Sequence, residues 1–222
     1  MVQAAFEFEF REAQDRDNYI VGISNLEAVK WIDRYPRWKN RGLIIEGPKD
    51  SGKSHLVRVW QKKSNCNILS SEDINKELIN TKDKKNIAIE DIHLIENYEF
   101  LLHLINYKKE KNLNFLLTSR KNILSQNIHL NDVKSRLLEM PKVLISLPTD
   151  EIIKGLICKH MKDKGISVDN KLVLFMLNRI DRSYEGVKTF IGRINKISLE
   201  KKKKISMTII KEALAIKYKE DE

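Results

Sequence analysis

Five short apolar runs punctuate the first two thirds of the chain: Gly42–Glu46 (GLIIE), Asn67–Leu69, Ile87–Glu90 (IAIE), Asn114–Thr118 (NFLLT) and Lys142–Leu147 (KVLISL). Short runs of this kind suit strands buried on both faces. Their alternation with helical text predicts a parallel sheet covered by helices on each side. Leu26, Val29 and Ile32 fall at helical spacing within residues 24–34, behind a Ser24/Asn25 cap, and Lys53–Lys62 and Tyr98–Lys109 also read as helices. Pro148 ends this regime. From Thr149 onward no strand candidate follows, and Asp150–Lys162, Val168–Ile180, Glu185–Leu199 and Ser206–Tyr218 carry apolar residues three and four apart. The expected fold class is α/β, with a five-stranded parallel sheet over residues 16–148 and a small all-helical unit over 149–222. Residues 1–15 (MVQAAFEFEFREAQD) stand apart, alternating aromatic and acidic side chains before turning polar.

Composition narrows the class without choosing a function. The chain has 222 residues, 41% hydrophobic and 32% charged, which suits a soluble globular protein. No apolar run approaches the roughly 20 residues that span a bilayer, and the N-terminus lacks a signal-peptide pattern, so a cytoplasmic protein without membrane contact is expected. Cys66 and Cys158 have no Cys or His neighbours at metal spacing and read as unpaired thiols of a reducing compartment. A net charge of +10 can draw nucleic acid to the surface. The lysines are scattered, however, and the one dense run, Lys201–Lys204, reads as a solvated loop between helices.

The chemistry sits at the strand ends. Gly47-Pro48-Lys49-Asp50-Ser51-Gly52-Lys53-Ser54 is G-x-x-x-x-G-K-S, placed between an apolar run and helical text as a P-loop requires. The glycines let successive backbone N–H groups face phosphate oxygens, and the following helix, which includes His55, presents its positive end to the same anion. Lys53 would neutralise the β- and γ-phosphates of ADP or ATP, and the Ser54 hydroxyl would ligate Mg²⁺. Such a loop needs an acidic strand end nearby, and Ile87-Ala88-Ile89-Glu90-Asp91 supplies it, with Glu90 for the metal and Asp91 for ordering water. Leu116-Leu117-Thr118-Ser119 ends a further run in hydroxyls.

Taken in order, GPKDSGKSH, IAIEDIHLI, LLTSR and NDVKSRL resemble the central AAA+ domain of the bacterial replication initiator family DnaA, across nearly the whole chain. The resemblance implies the AAA+ fold with a helical lid. It implies that Thr118 contacts the γ-phosphate or attacking water, and that Asn18–Asn25, with Tyr19 and Val21, lies against the adenine ring. In Ser135-Arg136-Leu137 it implies an arginine finger, Arg136, offered to the nucleotide of a neighbouring subunit; an ordinary surface ion pair is the plainer role for the same residue. Two departures stand out. The acidic pair is Glu90-Asp91 rather than Asp-Asp. The sensor-arginine position of the lid holds Glu185, with Arg182 one helical turn earlier as a substitute or as a surface residue.

A helical lid with no DNA-binding domain after it resembles the Hda type of DnaA-related regulator. In that type an N-terminal peptide docks on the replicative sliding clamp. Gln3-Ala4-Ala5-Phe6-Glu7-Phe8 is similar to such peptides, with Phe6 where leucine is usual; Gln3, Phe6 and Phe8 would make the contacts. The same alternation also fits an edge strand. The resemblance thus implies a negative regulator of replication initiation that stimulates hydrolysis of DnaA-bound ATP with the DNA-loaded clamp. Its partners would be DnaA, the clamp, DNA through the clamp or weakly through the basic surface, and a second copy. Two other readings stay open: an autonomous ATPase of helicase-loader or transposition-helper type, and an adaptor for which nucleotide is a structural prop.

Overall fold

The computed structural model describes residues 16–77, 84–126, 128–163, 166 and 168–220. Gln3, Phe6 and Phe8 lie outside them. A five-stranded, all-parallel sheet has the order β2-β3-β4-β1-β5, from β1 (Gly42–Glu46), β2 (Asn67–Leu69), β3 (Ile87–Ile89), β4 (Phe115–Ser119) and β5 (Lys142–Leu144). Every residue of the three central strands is buried, whereas β5, at one edge, alternates exposed and buried.

The helices explain why the central strands tolerate no polar face. Leu43 and Ile45 of β1, Ala88 of β3 and Leu116 of β4 pack with α1 (Leu26–Asp33) and α2 (Lys53–Ser64). The intervening Ile44, Ile87, Ile89, Phe115 and Leu117 pack on the other side with α4 (Tyr98–Glu110) and α5 (Asn131–Leu138). The two-residue period of a strand therefore sends apolar side chains into two separate cores. A short helix, α3 (Ser71–Asn75), closed by a Ser70/Asp73 capping box, has too few residues to leave a periodic pattern.

Among the boundaries that differ from the sequence expectation, three do so for an identifiable local reason. α1 begins at Leu26 without a side-chain cap. Asn25 is spent on the preceding loop, accepting from Gly22 N (2.9 Å) and donating to Ile20 O (2.8 Å), and Ser24 Oγ donates to Leu147 O (2.7 Å). β5 stops at Leu144 because its pairing ends there: Ile145 N makes the last bond to β1, at Glu46 O, and Ser146 N goes instead to Ser24 O. α7 (Asn170–Leu177) starts only after Asp169, whose side chain caps it.

The described residues after Thr149 form only helices and their connections, with α6 (Asp150–Asp163), α7, α8 (Tyr184–Glu200) and α9 (Met207–Glu220). They enclose a third core around Ile153, Ile157, Met176, Phe190 and Ile194. Ile152 and Tyr184 belong instead to the core beneath α1 and α2, and the partly buried Leu156 touches both cores. The 20–25 loop comes so close to α6 that a Cβ on Gly22 would lie 2.7 Å from Ile152 Cγ1. Among the described residues no helix is long and apolar enough to cross a membrane.

The heaviest single contribution to the α1/α2 core is Trp60, fully buried, stacked on Trp38 at 5.2 Å and met edge-on by Tyr35 at 5.6 Å. Trp60→Ala is expected to destabilise the fold by about 3–5 kcal/mol. Trp60→Phe should cost clearly less, because the indole N–H it removes is buried without a partner. Urea unfolding of the two variants checks the order of the effects, and equal costs would contradict it.

Candidate functional site

Parallel pairing sets the site. Glu46 of β1 is in register with Ser119 of β4, and Leu117 of β4 with Ile89 of β3. The chain thus leaves β1 and β4 at the same level, at Gly47 and Arg120, and leaves β3 two residues lower, at Glu90, all toward the carboxyl edge of the sheet.

The loop from Gly47 to Gly52 turns through Asp50 (φ 58°) and Gly52 (φ 89°), both left-handed. At Gly52 a side chain is barred twice over, by that φ and by the Tyr19 ring, 2.8 Å from where a Cβ would stand. α2 then starts at Lys53 with Gly52 as its cap and no side-chain hydrogen bond to its first turn. Its leading N–H groups, and the positive end of its dipole, are directed at the cleft. Lys53 is bent back on its own loop, donating to Gly47 O (2.8 Å) and Pro48 O (2.7 Å). Burial pushes its amine down to about 8, although Asp91 pulls the other way.

The acidic strand end divides its two carboxylates. Asp91, left-handed at φ 53°, donates its N–H to Thr118 Oγ1 (3.2 Å), so the buried Thr118 hydroxyl props the backbone of Asp91. The Asp91 carboxylate is gripped twice by Arg120, Nε to Oδ1 at 3.2 Å and Nη2 to Oδ2 at 3.1 Å. His93 lies beside it, with Nδ1 3.8 Å from Asp91 Oδ1; burial lowers its pKa, and Nδ1 accepts from Arg120 N at 3.4 Å, which suits the neutral ring. Glu90 Oε1 is buried without a hydrogen-bond partner.

A cleft of about 340 Å³ opens between this edge and the helical unit. Its floor is the residue 49–55 loop and helix start, with Asp91 and Arg120 beyond; Asn18, Tyr19, Ile20 and Asn25 form one wall. The helical unit supplies Ile152, Leu156, Lys159 and His160 from α6 and Tyr184 and Lys188 from α8. Five Lys and Arg side chains against two Asp make this a cationic, partly apolar cavity. The Tyr19 and Tyr184 hydroxyls are buried without hydrogen-bond partners. Burial pushes Tyr184 up to about 12 and Tyr19 higher still, so both stay neutral O–H donors. Tyr19 also meets His55 edge-on at 5.1 Å. Two ion pairs tie α8 to the loop, Glu185 to Lys49 and Lys188 to Asp50 (2.7 Å).

Lys49 to His55, Tyr19 and Asp91 thus meet around one cavity. Gly47 and Pro48 form the back of the loop and hold Lys53. Val21 is 41% exposed, and Ile20 lines the cavity in its stead. Arg182 pairs with Asp150 at 3.4 Å and lies off the cavity lining, as does Arg136. Arg136 sits on α5, donating to Asn106 Oδ1 (3.1 Å) and facing Glu139 (3.4 Å). Arg120, Tyr184, Lys188, Lys159 and His160 went unassigned in the sequence. Arg120 could have been found from its place directly after LLTS, because parallel strands end at a common edge. Among the described residues no three His, Cys, Asp or Glu side chains gather as a self-sufficient metal site.

No family model matches the sequence, and no curated protein matches it. Solved structures do. Domain III of the Thermotoga maritima replication initiation protein DnaA superposes with a TM-score of 0.77 at 16% identity, over 91% of this chain and 95% of that one. AMPPCP-bound DnaA from Aquifex aeolicus gives 0.68 at 16% identity over 83% of this chain, which spans 65% of that protein's chain. The Thermotoga maritima RuvB Holliday junction branch migration motor gives 0.65 at 14% identity, over 94% and 73%. The parallel five-stranded sheet with flanking helices and a helical unit is the AAA+ P-loop fold of these proteins.

The Lys53 amine generates a pH signature. In the unfolded chain it titrates at its ordinary 10.5 and in the folded chain near 8. Between these values the unfolded state holds a proton that the folded state has released, so stability rises with pH across this window and Lys53 contributes no slope below it. The difference in unfolding free energy between wild type and Lys53→Met should therefore grow as pH rises above about 8. Paired urea titrations measure it; a difference independent of pH contradicts the shift.

Proposed function

We propose that the chain binds ADP or ATP with Mg²⁺ in this cleft and acts as a DnaA-related regulator of replication initiation. The observation that carries the nucleotide reading is the P-loop itself. Its buried Lys53 and the uncapped first turn of α2 are directed into a cationic cavity with an apolar wall. Lys53 gives up the Gly47 and Pro48 carbonyls for phosphate oxygens, and Gly52 to His55 donate backbone N–H groups. Tyr19, Ile20 and the orphan hydroxyls of Tyr19 and Tyr184 receive the nucleoside.

The donor set suits Mg²⁺, which takes one or two protein oxygens and completes its shell with phosphate and water. The Ser54 hydroxyl would be one, and Glu90, with a buried oxygen lacking a partner, the other. Bound there, the ion supplies charge neutralisation of the phosphates. Asp91, its backbone fixed by Thr118, orients water at the terminal phosphate.

The regulatory part of the proposal rests on the likeness to DnaA in fold and in motif order. In it, residues 3–8 dock on a DNA-loaded sliding clamp. Arg136 then leaves its exposed contacts with Asn106 and Glu139 for ATP held by DnaA, where its fork neutralises charge in the transition state. Exposed pairs of this kind hold an arginine weakly, so little opposes its transfer to a phosphate.

Hydrolysis of DnaA-bound ATP, measured with clamp loaded on DNA, tests this reading. Wild-type protein should accelerate it, and Arg136→Ala should lose the acceleration by on the order of a thousandfold. Equal stimulation by both proteins removes Arg136 from the role. No stimulation by either, together with DnaA-independent ATP turnover raised by single-stranded DNA, favours an autonomous loader-type ATPase.

A further inference from the structure

We propose that the end of the sheet remote from the cleft, where the strands begin, is a docking surface for the sugar-phosphate backbone of a nucleic acid duplex, bound without regard to sequence. This inference stands apart from the nucleotide and regulatory readings above, because the surface shares no residue with the cleft.

Register brings the surface together. Asn67, Ile87, Phe115 and Gly42, the first residues of β2, β3, β4 and β1, lie on one level across the sheet, so the segments leading into four neighbouring strands meet at one edge. Each segment brings exposed cations. Lys62 and Lys63 end α2 ahead of β2, and Lys84 and Lys85 stand directly before β3. Lys109 and Lys111 precede β4, and Arg37, Lys39 and Arg41 precede β1. Side chains lock these segments to one another. Asn86 donates to Tyr35 Oη (3.2 Å) and Ser64 O (3.0 Å) and accepts from Asn114 N (2.8 Å). Arg41 donates to Asn112 O (3.0 Å), and the buried Lys108 donates to Lys85 O (3.2 Å). The cations therefore stand on a fixed platform and not on independent loops. Among the described residues, the carboxylates of these segments are Asp33, Glu110 and Glu139, and each already faces a cation: Lys63, Lys111 and Lys109. The edge is left with a large excess of positive charge.

Helix dipoles account for part of this charge. A cation in the last turn of a helix answers its negative end, and that suffices for Lys62, Lys63 and Lys109. It does not reach Arg37, Lys39 and Arg41, which lie between α1 and β1, or Lys84 and Lys85 at the start of β3. A row of phosphates fits the surface as a whole. Four adjacent strand starts span roughly 14 Å, which matches about four nucleotides of one duplex strand. An acidic membrane would attract the same charge, but insertion into it takes apolar side chains as well. None of the exposed large hydrophobic side chains among the described residues belongs to these segments. A single strand would call for open aromatic faces on which to stack its bases. Trp31 and Tyr107 are partly buried here, and Arg34 and Lys111 lie over their rings, at 5.4 and 5.6 Å. Cations without a stacking platform suit the backbone of a duplex, whose bases are already stacked.

Fluorescence anisotropy of a short labelled duplex, titrated with the full chain over a series of salt concentrations, tests this. The wild type should bind with a slope of log affinity against log salt of about −4. The triple variant Lys39→Glu, Lys84→Glu, Lys85→Glu should weaken binding by at least on the order of tenfold and flatten the slope by about 3. The triple variant Lys202→Glu, Lys203→Glu, Lys204→Glu changes net charge equally but alters the lysine run before α9; it should cost less than about threefold. Glutamine at the same three amino-edge positions removes charge without adding repulsion. That set should fall between the wild type and the glutamate set, and it carries the test if the glutamate set folds poorly. Equal loss from the two glutamate sets, tighter binding of a single strand of the same length, or no binding of duplex by the wild type at low salt overturns the proposal. So does capture of the wild type by phosphatidylglycerol vesicles with none by duplex. A separate titration with ADP reads the cleft, so failure of this surface and failure of the nucleotide reading are told apart.

Discussion

Three strands buried on both faces pair in parallel at the centre of this molecule, and the rest of the structure depends on where that pairing lets them end. Because Glu46 is opposite Ser119 and Leu117 opposite Ile89, the chain leaves β1, β4 and β3 at one edge. Three turns of different chemistry therefore meet there: a glycine loop leading into a helix N-terminus, an arginine and an acid pair. None of these features would make a phosphate site alone. The sheet supplies rigidity, since its side chains fill two separate cores and a slip of one residue would move every one of them to the wrong face.

The helical unit completes what the sheet edge begins. Ile152 and Tyr184 share the core under α1 and α2, so α6 and the start of α8 are held against the α/β domain by apolar packing as well as by the two ion pairs to the loop. Packing accounts for most of that attachment, because exposed ion pairs contribute little. The 20–25 loop is the third wall, tied to the sheet through Ser24 and to itself through Asn25. The cavity is thus enclosed by elements from three parts of the chain, each restrained independently of any occupant.

Much of this was legible in the sequence. Continuous apolar runs such as IAI and FLLTS announce two-faced burial, and G-x-x-x-x-G-K-S states both the turn geometry and its charge. What stayed hidden was convergence. Strand order has no local signature, so Arg120 read as an ordinary residue after a strand, although the order β3-β4-β1 places it between the acids and the loop. Tyr184 and Lys188 had no pattern to mark them, since their role depends on how α8 packs. The Ser24/Asn25 cap was misread because an Asn before a helix can serve its own loop instead, and this one does. The contact between the Thr118 hydroxyl and the backbone of Asp91 was likewise not legible, because it joins the ends of two different strands.

The central claim is that the loop, Lys53 and the first turn of α2 form a site awaiting phosphate. The most direct measurement is a crystal structure of the chain with ADP and Mg²⁺. The account predicts the β-phosphate on the backbone N–H groups of Gly52 to His55, with Lys53 Nζ moved off the Gly47 and Pro48 carbonyls onto phosphate oxygen. A nucleotide bound elsewhere, or Lys53 still holding those carbonyls with the phosphate in place, would contradict it.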